Sequence, residues 1–107
     1  MNKKRLFNEL FVYENILLAY FSKENSQLRA LYNTELENVV KRFLDIYAAE
    51  DAQKSTDYIN TIRMIYCNPE TANRETICRE LGMSHSTFMR IRVKFCLTLK
   101  MLVSFVF

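Results

Sequence analysis

The stretch NRETICRELGMSHSTFMRI, residues 73–91, decides how the rest of this chain is read. Asn73 is a helix-capping residue type, and Ile77, Cys78 and Leu81 share one face of the short helix it would open. Gly82 follows where a helix ends in a left-handed residue, a conformation that glycine adopts without a Cβ clash. Met83 is expected to plug back into the core. Ser84 is expected to cap a second helix, along which Phe88, Ile91, Phe95, Leu99 and Leu102 continue a buried stripe at helical spacing. Two helices joined by a Gly-containing turn, the second basic and serine-capped, make a helix-turn-helix.

The remainder of the chain agrees with an all-α fold, a small bundle of about five helices with the helix-turn-helix at its C-terminal end. The 107 residues include one Gly and one Pro, Gly82 and Pro69, where strand-rich folds need turn residues every eight to twelve positions. Half of the residues are hydrophobic and no low-complexity tract occurs, which excludes a disordered chain. Apolar residues from Lys4 to Phe21 recur at helical spacing over an unusually wide face (Leu6, Leu10, Tyr13, Leu17, Tyr20, flanked by Phe7, Phe11, Leu18 and Phe21). A second helix is expected from about Ser26 to Gln53, with Glu37 and Lys41 as an i, i+4 pair. A third starts after Ser55-Thr56-Asp57, whose side chains suit an N-cap, and stops near Cys67-Asn68, before Pro69. Residues 1–67 would be a helical scaffold or dimerisation region and residues 68–107 the helix-turn-helix region, unless both form one compact domain.

Charge divides at the same place. Residues 1–67 carry nine Lys or Arg against nine Asp or Glu, whereas residues 68–107 carry six against three, so the whole net charge of +3 lies in the last segment. That is the distribution expected of a polyanion-binding element. Cys67, Cys78 and Cys96 form no C-x-x-C pair and His85 is the single histidine, so zinc-site spacing is absent and buried, reduced thiols are expected. No cofactor is expected. Met1-Asn2-Lys3-Lys4-Arg5 imitates the basic region of a signal peptide, but Asn8, Glu9, Glu14 and Asn15 interrupt any apolar core behind it. The apolar run Phe95 to Phe107 falls short of the roughly 20 residues that span a bilayer, so the expected location is the cytoplasm, without membrane contact.

The run Ile77 to Ile91 resembles the helix-turn-helix of sigma-factor region four and, more closely, that of ArpU-type phage transcriptional regulators, in its Ile-Cys-x-x-Leu-Gly-x-Ser-x-Ser-Thr pattern. The match covers about 20 residues, and Tyr58 to Pro69 is compatible with that family's layout. The resemblance implies a DNA-binding transcriptional regulator, encoded by a phage or prophage. It puts Leu81, Gly82 and Met83 in the turn, Ser84 at the cap, and His85, Ser86, Thr87, Met89 and Arg90 against the major groove, with Phe88 and Ile91 in the core. Arg92 and Val93 depart from it, reversing the basic and apolar preferences expected beyond the motif.

Residue chemistry supports the same assignment independently. Short polar side chains at a helix start allow close approach to DNA, N-terminal amides favour phosphate, and an arginine can contact guanine O6 and N7 together. Ser84, Ser86, Thr87 and Arg90 supply these types, and Lys94, Arg79 and Arg74 are candidates for phosphate contacts. Each has a plainer reading as well. Ser84 caps a helix with or without DNA, His85 can be an ordinary first-turn residue, Arg90 can be a solvated surface arginine, and Arg79 with Glu80 can be the polar face of a short helix. The expected partners are double-stranded DNA, a second copy of the chain joined through the N-terminal helix or the apolar C-terminal end, and RNA polymerase. The competing function is a protein-interaction module that keeps the helix-turn-helix as architecture and binds through the apolar faces of Leu6 to Phe21 and Phe95 to Phe107. An enzyme is disfavoured, since no Gly-rich phosphate loop, metal cluster or paired carboxylate pattern is present to carry chemistry.

Overall fold

Helices α1 (Glu14–Phe21), α2 (Thr34–Lys54), α3 (Tyr58–Tyr66), α4 (Arg74–Leu81) and α5 (His85–Ser104) follow in that order in the computed structural model. It describes residues 9–21, 34–67 and 73–106, and among these the fold is all-α, with no strand. The main core joins Leu17 of α1, Val39, Val40, Phe43 and Tyr47 of α2, Ile62 and Tyr66 of α3, and Phe95, Leu99 and Leu102 of α5. It therefore draws on residues either side of position 67. Phe95 lies at its centre, meeting the rings of Phe43, Tyr47, Tyr58 and Tyr66 edge-on at centroid distances of 5.7, 4.9, 6.0 and 6.5 Å. Such edge-to-face pairs add to the gain from burial alone. A smaller cluster of Ile77, Cys78 and Phe88, packed against Met64, Ile65, Leu81, Met83 and Met89, holds α4 to the start of α5 and to α3.

Two helices differ from the sequence expectation. The continuous helix from Lys4 to Phe21 is interrupted, although residues 4–8 lie outside the described residues. Residues 9–11 are helical, Val12 and Tyr13 form a turn, and α1 begins at Glu14. The Tyr13, Asn15 and Ile16 N–H groups donate to the carbonyls three residues back, Leu10, Val12 and Tyr13, at 3.2, 3.1 and 3.1 Å. This is the tighter 3₁₀ pattern, and it delivers Glu14 to the interior. In α2 the described residues begin at Thr34, with positions 26–33 outside them, and the Glu37–Lys41 pair forms on its exposed face at 3.3 Å. Such an exposed pair is worth a few tenths of a kcal/mol.

The α2–α3 connection also differs in its chemistry. Asp57 occupies the N-cap position of α3, yet its side chain makes no capping bond. Asp51, from the last turn of α2, does the capping. Its Oδ1 accepts from the Tyr58 N–H and from the Thr56 hydroxyl, at 2.9 and 2.5 Å, and its Oδ2 accepts from the Ile59 N–H at 2.9 Å. Burial pushes this carboxyl up, but the Thr56 hydroxyl and the two backbone amides outweigh it and hold the group below the usual carboxylate range. Ser55 reaches this arrangement with a positive φ of 55°, a conformation that favours glycine.

The three cysteines are free, Cys78 and Cys96 buried and Cys67 half-buried. Burial first, and the nearby Glu14 carboxylate second, push the Cys96 thiol from 9.0 up to about 12, against a smaller opposing effect of Arg92. A folded-state pKa raised in this way gives stability that is complete below pH 9 and is lost as pH rises toward 12. Unfolding should therefore become easier above about pH 9 by up to about 1.4 kcal/mol per pH unit. Cys96→Ala should make that decline shallower between pH 9 and 10, leaving the contribution of Cys67, whose thiol burial also raises, until the buried Tyr47 and Tyr66, raised as well, add theirs above about pH 10. Urea unfolding midpoints at pH 8, 9 and 10 check this, and identical pH profiles for the two proteins would refute it.

No helix among the described residues is long and apolar enough to cross a membrane.

Candidate nucleic-acid interface

The pair α4 and α5 is built by local hydrogen bonds that each have an identifiable residue behind them. The Asn73 Oδ1 accepts from the Thr76 N–H at 2.8 Å and caps α4. At the other end Gly82 takes φ 65°, ψ 36° and donates to the Arg79 carbonyl at 3.3 Å, while the Met83 N–H donates to the Cys78 carbonyl at 2.9 Å. This pair of bonds, reaching back three and five residues, is the Schellman closure of a helix. A Cβ on Gly82 would meet open space, so backbone conformation alone is what asks for glycine there. Ser84 then caps α5. Its Oγ accepts from the Thr87 N–H at 3.1 Å and donates to the Thr87 hydroxyl at 3.0 Å, and its carbonyl accepts from the Phe88 N–H at 3.0 Å.

The candidate contact residues divide into four groups. Ser84, His85, Ser86 and Arg90 are exposed on the cap and first two turns of α5, with Ser86 and Arg90 one turn apart on the same side. Arg74 and Arg79 are exposed at the two ends of α4. Thr87 and Met89 are half-buried, Thr87 hydrogen-bonded to Ser84 and Met89 packed against Ile77, Cys78 and Phe88. Phe88 is buried, and Met83 packs into the same cluster as expected. Lys94 is tied down within the chain. Its Nζ donates to the Tyr58 hydroxyl at 3.1 Å and lies 3.4 Å from the Glu50 carboxylate and 4.5 Å from the centre of the Tyr58 ring. The Tyr58 hydroxyl first, then Glu50, hold this ammonium above its ordinary pKa despite some opposing desolvation.

The structure adds one ionic group that was not anticipated. Arg92, two positions past Arg90, turns inward to Glu14 of α1, which is 7% exposed. Its Nη2 donates to the Glu14 Oε1 at 2.5 Å and its Nε to Oε2 at 3.1 Å, a two-toothed contact across 78 positions of sequence. The Tyr66 hydroxyl of α3 donates to the same Oε2 at 2.5 Å, and the Phe11 ring lies 4.2 Å from the guanidinium carbon. Burial of the phenol, reinforced by the Glu14 carboxylate, keeps Tyr66 protonated far above the usual phenol range. The inward turn of Arg92 thus has a structural reason. A partial signal was present in the sequence, because Glu14 interrupts the apolar row Leu10–Leu17 and Arg92 the row Phe88–Phe95, and a charge in a buried stripe calls for a partner.

Among the described residues no three of His, Cys, Asp or Glu are grouped so as to hold a metal ion. Compared with known proteins, the chain matches no protein-family model, no curated protein and no solved structure.

Proposed function

We propose that the chain is a sequence-specific DNA-binding transcriptional regulator, of phage or prophage origin, that reads the major groove with the first two turns of α5. The observation that carries this reading is the α4–α5 pair. A glycine-closed helix and a serine-capped helix are joined by three residues, and the second presents Ser84, Ser86 and Arg90 to solvent on a segment holding the whole net positive charge. Backbone amides at the start of α5 suit a phosphate, and Arg90 suits a guanine edge. Arg74 and Arg79 serve as phosphate contacts, whereas Lys94 must first leave Glu50 and Tyr58.

Binding to pooled random duplexes at several salt concentrations tests the reading. The wild-type protein is expected to bind with a steep salt dependence, and Arg90→Ala to cost about 1 to 3 kcal/mol at one preferred base while leaving the others unchanged. Salt-insensitive binding, or an equal loss at every base, would refute groove reading by Arg90.

One observation favours a second protein as an additional partner. Leu97, Met101 and Phe105, spaced four residues apart at the C-terminal end of α5, are 52, 49 and 75% exposed. A second copy of the chain paired there would suit a regulator that reads two half-sites. Sedimentation should then report a dimer that Leu97→Glu with Met101→Glu converts to a monomer of unchanged helicity. A wild-type mass that stays monomeric at every concentration would rule the dimer out. A module that binds only proteins would use the same face, and would form no sequence-preferring complex with duplex DNA even at low salt.

A further inference from the structure

We infer that Glu14, acting through Arg92, is a positioning residue for the DNA-reading face of α5. The inference rests on the groove-reading role proposed for that helix. Apolar packing fixes the buried side of α5 through Phe95, Leu99 and Leu102, and the contacts of Thr98 with the Tyr47 hydroxyl and of Lys94 with Tyr58 and Glu50 tie its middle without a planar two-point geometry. The Glu14–Arg92 contact is different in kind. Both carboxylate oxygens are engaged, Oε1 by Nη2 and Oε2 by Nε and the Tyr66 hydroxyl, so the planar fork is held at two points by Glu14 of α1, whose carboxylate is itself held by Tyr66 of α3.

Arg90 and Arg92 are separated by about 200° around the helix, so fixing one inward aims the other outward. At the roughly 6 Å radius of the side chains, a rotation of about 20° moves a guanidinium by about 2 Å, more than a bidentate base contact tolerates. The same arginine reaches toward the motif itself, its Nη1 donating to the Met89 sulfur at 3.7 Å. In this arrangement the N-terminal helix completes the reading head instead of merely supporting it. Non-specific attraction to phosphate needs no such alignment, so affinity for arbitrary DNA and preference for one sequence should separate when the fork is removed.

The test compares the wild-type protein with Arg92→Lys, which keeps the charge but loses the fork, and with the triple variant Glu14→Met, Tyr66→Phe, Arg92→Met, which replaces the polar group by apolar side chains of similar volume. Each is measured, at a temperature where circular dichroism shows it folded, against the duplex selected by the wild-type protein and a scrambled duplex of equal length. Expected is affinity for the scrambled duplex within about twofold of wild type and a preference for the selected duplex reduced about tenfold or more. Unchanged preference in folded variants overturns the inference while the groove-reading role stands. Wild-type protein that shows no preference between the two duplexes removes the groove-reading role, and the inference with it. Failure of both variants to fold also overturns it, because the group would then hold the globule together instead of aiming one helix.

Discussion

Phe95→Ala is expected to destabilise the protein by about 3 to 5 kcal/mol, the largest loss available from a single apolar truncation here. Phe95 is fully buried and shares edge-on contacts with four rings from α2 and α3, so its removal opens a cavity that stiff aromatic neighbours cannot collapse to fill. The whole stability of a domain of this size is about 5 to 15 kcal/mol, so the variant should lose a large share of it and unfold at a much lower urea concentration. Urea denaturation followed by circular dichroism measures the effect. A loss below about 1 kcal/mol would mean that α5 is not the centre of the core.

Glu14→Ala should be of similar severity, about 3 kcal/mol or more, by a different route. It deletes the acceptor for Arg92 and Tyr66 and strands a guanidinium, three-quarters buried, among apolar side chains. Most of that loss is the cost of the unpaired charge and not the worth of the pair. Removing all three polar partners together, as in Glu14→Met with Tyr66→Phe and Arg92→Met, should therefore cost far less than Glu14→Ala alone. Denaturation midpoints of the two variants decide this, and the reverse order would show that the ion pair itself contributes the stability.

How much of this was legible in the sequence depended on distance along the chain. Asn73, Gly82 and Ser84 make their bonds within five residues, and each is a residue type with one strong local preference, so α4, its closure and the start of α5 could be read directly. The stripe Phe88, Phe95, Leu99 and Leu102 was legible for the same reason, since periodicity is a local property. The bonds between Glu14 and Arg92, and between Glu14 and Tyr66, join residues 78 and 52 positions apart. Periodicity could flag each charge as misplaced in an apolar row but could not pair them. Asp51 was missed although it lies close to α3, because Ser55, Thr56 and Asp57 offered the same capping chemistry nearer the helix start. In the candidate interface, spacing placed Ser86 and Arg90 on a free face, but the retention of Lys94 by Glu50 and Tyr58 depends on how α2 and α3 pack beside α5.

Selection of bound sequences from random duplexes, carried out in parallel for the wild-type protein and Arg90→Ala at moderate salt, addresses the function most directly. A groove-reading α5 predicts one enriched sequence for the wild type and loss of preference at a single base, most simply a guanine, for Arg90→Ala. A wild-type pool that stays random, or an enriched sequence that Arg90→Ala leaves intact, would contradict it.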